Sequence, residues 1–338
     1  MKILLSSHSF HPAVGGLETV SRLLAEEFTS AGAEVTVITQ TPPSVTHLDE
    51  YAYQVVRQPN NSQLVAVCRQ ADIHFQNNIS LKTLIPLLPI RKPTFIAHHT
   101  WLHQSDGRVA PQDRIKRFLL RFAHNISISQ AMAKSLPVPS TVIGNPYESH
   151  AFAQYRETPK TKDIVFLGRL VSDKGCDLAL QALPILKKEG LTPTLTFIGD
   201  GTERPKLEAL TAELGLSGQV TFLGNLTTER GQEVARHKVM VIPSRWAEPF
   251  GLVALEGLAA GCALAASNLG GLPEAVGPCG QLFPNGDAAA LAVVLKNLLT
   301  DENLRTQLLS QSQSHLANFD PKVVAQHYLN FFQNHFRR

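Results

Sequence analysis

Twice along the chain, short runs rich in Ile, Val, Leu and Phe alternate with helix-length amphipathic segments, and between the two series the rhythm stops. Strands separated by single helices pair in parallel, because a helical crossover lets the next strand run in the same direction as the last. The pattern therefore predicts two doubly wound α/β domains. The first series places strands at 2–7, 34–39, 53–57, 72–76, 94–98, 125–129 and 141–143, with a helix at 17–30 stopped by Gly32. The second places strands at 163–167, 195–198, 220–223, 239–242 and 263–266, with helices near 176–188, 203–214, 228–236 and 252–260. A polar stretch at 148–162, containing Pro159, reads as the linker. Domains are expected at 1–150 and 151–317, with a tail at 318–338 whose apolar Val323, Val324, Tyr328, Leu329, Phe331 and Phe332 form one helical face. Open α/β sheets bind ligands outside the carboxyl ends of their strands, so two such domains are expected to face each other across a cleft.

Composition narrows the class. Hydrophobic residues make up 43% of the 338-residue chain and charged ones 17%, as in a globular enzyme, and a net charge of +3 falls short of a nucleic-acid binder's basic footprint. Cys68, Cys176, Cys262 and Cys279 form no CxxC pair, which argues for a reducing compartment and against zinc or a disulfide framework. The apolar run at 3–5 is too short for a signal peptide, and no stretch approaches the roughly 20 apolar residues of a membrane span. A cytoplasmic protein is expected.

The strongest local signal runs from Ser244 to Gly257, where a strand leads into a loop bearing Glu248 and then into a helix bearing Glu256. Amides at the helix start, those of Phe250, Gly251 and Leu252, point at an anion there, and the helix dipole favours a diphosphate. Glu256 is placed to accept from vicinal ribose hydroxyls and Glu248 to lie beside a sugar; taken alone, both also suit a solvated loop and helix surface. Arg169 and Lys174 follow the first strand of the same domain and would neutralise a diphosphate as its charge grows. A solvated basic turn is the other reading of that pair. In the first domain Gly15 and Gly16 precede a helix, offering bare backbone to a phosphate or sugar or simply making a tight turn; they lack the third glycine of a dinucleotide fingerprint. His98 and His99 end a strand, where imidazoles hydrogen-bond a sugar or an acceptor hydroxyl. There is no DxD carboxylate pair to hold a divalent metal on a diphosphate, so no metal and no other cofactor are expected.

Together these segments resemble glycosyltransferase family 4, the retaining enzymes of GT-B fold. The resemblance rests on PAVGGLE from Pro12, His99-Thr100, GRLVSDKG from Gly168, IGDGTERPKLE from Ile198, VTFLGNL from Val220, PSRWAEPFGLVALEGLAAG from Pro243 and GGLPEAV from Gly270. It implies that Glu248 and Glu256 are the family's paired glutamates, the first beside the donor sugar and the second on the ribose. Arg169 and Lys174 correspond to its diphosphate-binding pair, Gly16 to the glycine near the reaction centre and His99 to the histidine that contacts the transferred sugar. It also implies that Gly199, Asp200, Asn225 and Leu226 lie around the base, and that the last helix crosses back to the first domain. His237-Lys238 stands where the family often has an Asp, which is not a catalytic position.

The function expected is metal-independent transfer of a sugar, with retention, from a UDP- or GDP-sugar to a hydroxyl acceptor, itself a sugar, a lipid-linked group or a small molecule. Trp101 and His103 are the acceptor-side candidates. A nucleotide-sugar 2-epimerase of the same fold, an inactive nucleotide-sugar binder and, ranked lower, a nicotinamide dehydrogenase are the alternatives. The segment 113–124 interleaves Arg114, Lys116, Arg117 and Arg121 with Ile115, Phe118, Leu119 and Phe122. Its first reading is a covering helix with a basic outer face; its second is a peripheral contact with anionic lipid on the inner face of a membrane.

Overall fold

The computed structural model describes residues 1–338 apart from 14, 44–49, 105–106, 227 and 337–338. Val14, inside the early glycine-bearing stretch, lies outside the described residues. The chain divides into two units, one of Met1–Tyr147 with Asn318–Arg338 and one of Glu148–Ala317.

The first unit holds a seven-stranded parallel sheet. Its strands are β1 (Lys2–Ser7), β2 (Glu34–Thr39), β3 (Gln54–Arg57), β4 (Ile73–Asn77), β5 (Thr94–His98), β6 (His124–Ser127) and β7 (Thr141–Val142), in the order β3-β2-β1-β4-β5-β6-β7. The chain builds outward from β1 on one side and then returns to lay β4 on the other, so the loops after β1 and β4 flank a topological switch point. Helix Gly16–Ser30 buries Val20, Leu24, Ala25 and Phe28, an apolar stripe at helical spacing. Helix Pro321–Phe336, at the far end of the chain, packs against it: the Phe332 ring lies 5.8 Å from Phe28, 5.2 Å from Phe75 and 4.7 Å from Phe95. These large aromatic surfaces tie the tail into the first unit's core.

The second unit repeats the plan with six parallel strands. They are β8 (Lys162–Leu167), β9 (Leu195–Ile198), β10 (Val220–Phe222), β11 (His237–Ile242), β12 (Ala263–Ser267) and β13 (Gly280–Phe283), ordered β10-β9-β8-β11-β12-β13. Ile164, Phe166, Phe197, Val239 and Val241 share one buried cluster with Leu180 and Leu295 from helices Cys176–Lys188 and Ala288–Thr300. Here β8 and β11 flank the switch point.

Two sequence expectations are corrected. Strand β13 is absent from the expected set because it is a four-residue edge strand with one fully buried residue, too short and too exposed to carry an apolar run. The stretch 148–162 is not a free linker. Helix Ser149–Ala153 buries Phe152, and the polar residues after it close helix ends. Arg156 donates to the Leu258 carbonyl at 3.1 Å, and Lys160 donates to those of Ala235 and Ala260, both at 2.8 Å. Cations beside the carbonyl ends of helices satisfy acceptors that have no partner within the helix and oppose its negative pole. That charge serves packing, where polar composition alone reads as a linker.

Candidate functional site

In the second unit the residues predicted from sequence gather at the switch point. After β8 the chain makes a short 3-10 turn, Ser172–Lys174, and leaves it through Gly175 at φ 65°. A Cβ at Gly175 would lie 2.1 Å from the Pro243 carbonyl oxygen, so glycine alone lets this loop lie on the end of β11. The Asp173 carbonyl then accepts from the amides of Arg245 (2.8 Å) and Trp246 (3.1 Å), locking the loops after β8 and β11 together.

The consequence is a contact across 74 residues of sequence: Lys174 Nζ donates to Glu248 Oε1 at 2.8 Å. Ser244 Oγ donates to the same oxygen. Glu248 is buried, and its own backbone is held where the Gly271 amide donates to the Glu248 carbonyl at 2.7 Å. A buried carboxylate is tolerable only with partners of this kind, and Lys174 and Ser244 provide them. Arg169 stands apart. Its side chain is exposed and, among the described residues, has no ion-pair partner.

Helix Leu252–Ala259 starts beside Glu248, with Gly251 at φ 110° as its N-cap and no side chain capping it. Among the described residues no acceptor faces the amides of Leu252 and Val253, so the positive end of the helix is open to an anion. Within the helix, Glu256 Oε1 lies 3.5 Å from Arg230 Nη2, and the same guanidinium nitrogen is 3.3 Å from Glu148 Oε2. Burial pushes the Glu256 carboxyl above the usual carboxylate range, with Arg230 opposing the shift and Glu148 adding to it. The Arg230 guanidinium also lies 5.1 Å from the Phe152 ring centre. Sequence reading missed Arg230, Glu148 and Ser244. Glu148 fell in the supposed linker, and Arg230 and Glu256 are separated by 26 residues with no pattern linking them.

The remaining second-unit candidates form the turn after β9. The Gly199 amide donates to the Gly224 carbonyl at 2.8 Å, which places Gly199, Asp200, Asn225 and Leu226 on adjoining loops. The Asp200 carboxylate is taken up locally, by the Gly201 amide at 2.8 Å and Arg204 at 3.3 Å, while Asn225 is exposed.

The first unit's candidates form a different kind of site. His99 Nε2 lies 2.7 Å from Asn77 Oδ1, Asn77 Nδ2 donates to Ser21 Oγ at 2.7 Å, and Ser21 meets Ser7 at 2.7 Å. With Asn77 Oδ1 accepting, His99 carries its proton on Nε2 and keeps Nδ1 as an acceptor. Burial, aided by neighbouring His98, lowers the His99 pKa to about 3, and burial lowers that of His98 to about 4. Both imidazoles are neutral near pH 7. At the start of helix Gly16–Ser30, the Glu18 carboxylate lies close enough to Gly15 that a Cβ there would be 2.4 Å from it. The Trp101 and His103 rings lie 5.5 Å apart in the loop after β5. Asn77, which fixes His99, was not among the sequence candidates; an amide ending a buried strand is its only local signal.

Two parallel-sheet α/β units with these strand orders define the GT-B fold, the fold of glycosyltransferase structures. Anabaena HepE, crystallised with UDP and glucose, superposes with a TM-score of 0.82 at 22% identity, over 98% of this chain and 99% of that one. Sucrose-phosphate synthase from Thermosynechococcus elongatus gives 0.80 at 22% identity, covering 99% of both chains. Residues 148–315, nearly the whole second unit, match the family model Glycosyl transferases group 1. Glycogen synthase from Mycobacterium tuberculosis is 35% identical over 191 residues, which is 55% of this chain and 46% of that protein. A 2-deoxystreptamine glucosyltransferase from Streptomyces kanamyceticus is 28% identical over 264 residues, 75% of this chain and 67% of its own length. The match thus spans less than half of the first of these relatives.

Proposed function

We propose that this chain is a retaining glycosyltransferase of family 4 that transfers a sugar from a UDP-sugar to a hydroxyl acceptor. The observation that carries the reading is the Lys174–Glu248 contact at the start of helix Leu252–Ala259, a cation and a carboxylate beside the amides of Leu252 and Val253. In this reading the amides of Phe250, Gly251 and Leu252 hold the diphosphate with Lys174 and Arg169, and Glu256 accepts from the ribose hydroxyls. Gly199, Asp200, Asn225 and Leu226 border the base. Glu248, fixed by Lys174 and Ser244, orients the sugar.

The acceptor oxygen forms a bond to the anomeric carbon as the bond from that carbon to the diphosphate breaks, and the hydroxyl proton passes to a leaving phosphate oxygen on the same face. Charge growing on the leaving group is balanced by Lys174, Arg169 and the helix amides, which act without a metal ion. His99, held neutral, positions the sugar by hydrogen bonding and takes no part in proton transfer. The first unit is assigned the acceptor, with Trp101 and His103 in its loops. UDP is placed first because HepE is seen with UDP and with glucose.

Thermal unfolding with UDP, GDP, ADP and NAD tests the donor. UDP at a hundredfold excess over its Kd should stabilise by about 2.7 kcal/mol, and Glu256→Ala should lose the shift. With UDP-glucose, acceptor-dependent release of UDP that is unchanged by a chelator is expected. Stabilisation by NAD alone, or by none of the four, would overturn the reading, and turnover of donor without acceptor would move it to an epimerase.

A further inference from the structure

Five of the eleven large apolar side chains exposed among the described residues fall between positions 85 and 122: Ile85 (49%), Leu88 (42%), Ile115 (50%), Phe118 (54%) and Phe122 (66%). Ile115, Phe118 and Phe122 recur at intervals of three and four, which puts them on one side of helix Pro111–Leu119 and the turn that follows it. That helix has no fully buried residue, so its apolar side is not spent on the core. The Phe118 and Phe122 rings touch edge to face at 5.7 Å. Phe122 and Leu88 line one cavity of about 530 Å³, beside Arg91, Lys92 and His335, so the two apolar segments form a continuous surface.

The charge around this surface has one sign. Lys116 is paired with Asp113 at 3.0 Å, but among the described residues Arg114, Arg117 and Arg121 have no carboxylate within ion-pair reach. Arg121 lies 5.6 Å from the centre of the Phe118 ring, a cation at the edge of an aromatic patch. A second copy of the same face would set arginines against arginines. An apolar patch of several large side chains edged by unpaired cations instead matches a layer of phosphates over hydrocarbon. No helix among the described residues is long and apolar enough to cross a membrane, so such a contact is peripheral.

We infer that this face of the first unit docks on an anionic phospholipid bilayer, with Ile115, Phe118, Phe122 and Leu88 entering the headgroup layer and Arg114, Arg117 and Arg121 meeting lipid phosphates. The basic side of the cavity next to Phe122 seats one lipid phosphate between Arg91 and Lys92. Docking does not depend on the donor site, which belongs to the second unit.

The test is co-sedimentation of the full chain with vesicles of phosphatidylglycerol and phosphatidylcholine against vesicles of phosphatidylcholine alone. The protein should pellet with the first and not the second, and about 1 M salt, where charges are screened within about 3 Å, should release most of it. Each lipid-facing arginine contributes about fivefold to partitioning, so Arg114→Gln, Arg117→Gln and Arg121→Gln together should weaken it roughly a hundredfold. Phe118→Ser with Phe122→Ser should weaken it at every salt concentration. Arg114, Arg121, Phe118 and Phe122 are exposed and Arg117 is half-buried with no ion-pair partner among the described residues, so thermal unfolding should change little in both variants and serves as the control for folding. Failure of the unaltered protein to pellet with anionic vesicles would overturn the proposal, as would variants that pellet as well as it does. So would a dimer that dissociates on Phe122→Ser in a protein that ignores vesicles, which would make the face an interface between copies.

Discussion

The two units place polar residues at equivalent points of equivalent sheets and fill those points with opposite chemistry. Beside β1 and β4 in the first unit stand Ser7, Ser21, Asn77 and His99, a chain of neutral groups joined by hydrogen bonds of 2.7 Å. Beside β8 and β11 in the second stand Lys174 and Glu248, an ion pair at the positive end of a helix. The difference lies in what each site can do with charge. A carboxylate with two donors has partners for its charge, whereas an imidazole buried against an amide gives up its proton to avoid being a charge in a low dielectric. Shared topology fixed where loops converge, and the side chains made one of those points charged and the other neutral.

Acid is the strongest way to break this comparison. The first unit buries His74, His98 and His99, with pKa values lowered by burial to about 4, 4 and 3, against His237 alone in the second, at about 4. Below pH 6.5 the unfolded chain binds protons that these folded sites refuse, so stability falls as pH falls from 6.5 towards 4. Each site contributes about 1.4 kcal/mol per pH unit, roughly 2 kcal/mol at pH 5, so the first unit loses about 6 kcal/mol and the second about 2. Hydrogen exchange at pH 7 and pH 5 should therefore show protection lost first in β1, β4 and β5. Equal loss in β8 and β11 would remove the contrast between the units.

Phe332→Ala probes what else sets the first unit apart, its dependence on the last helix of the chain. Removing a fully buried ring packed on Phe28, Phe75 and Phe95 should cost about 3–5 kcal/mol, read as a lower midpoint in denaturant with the second unit's exchange unchanged. Glu248→Gln sharpens the comparison from the other side. It keeps the shape of the second unit's site and removes its negative charge, and kcat should fall about a hundredfold, near 3 kcal/mol, with little change in midpoint. Retention of full transfer activity by this variant would show that the ion pair is structural.

Much of this was legible in the sequence, for identifiable reasons. Parallel strands buried on both faces need continuous apolar runs, so β1, β5, β8, β9 and β11 announce themselves, as does the helix stripe of Val20, Leu24 and Phe28. Glu248 and Lys174 stood out because each lies in a loop that follows a strand, and Glu256 because it lies in the helix such a loop enters. Strand β13 was not, since an edge strand of Gly280–Phe283 needs no apolar run. Nor was the role of Arg156 and Lys160, because a cation on a distant helix end has the same local sequence as a cation in water.

The sequence by itself determined two parallel α/β layers and the residue types at their strand ends, since hydrophobic period and chain punctuation are local properties. Only the tertiary structure decided partnerships: Lys174 and Ser244 on Glu248, Arg230 between Glu148 and Glu256, Asn77 on His99 and the final helix on Phe28. Each joins residues from separate elements, and which distant side chains meet depends on strand order and on close backbone approaches such as that of Gly175 to Pro243. Those are set by how the whole chain packs, and no window of sequence contains them.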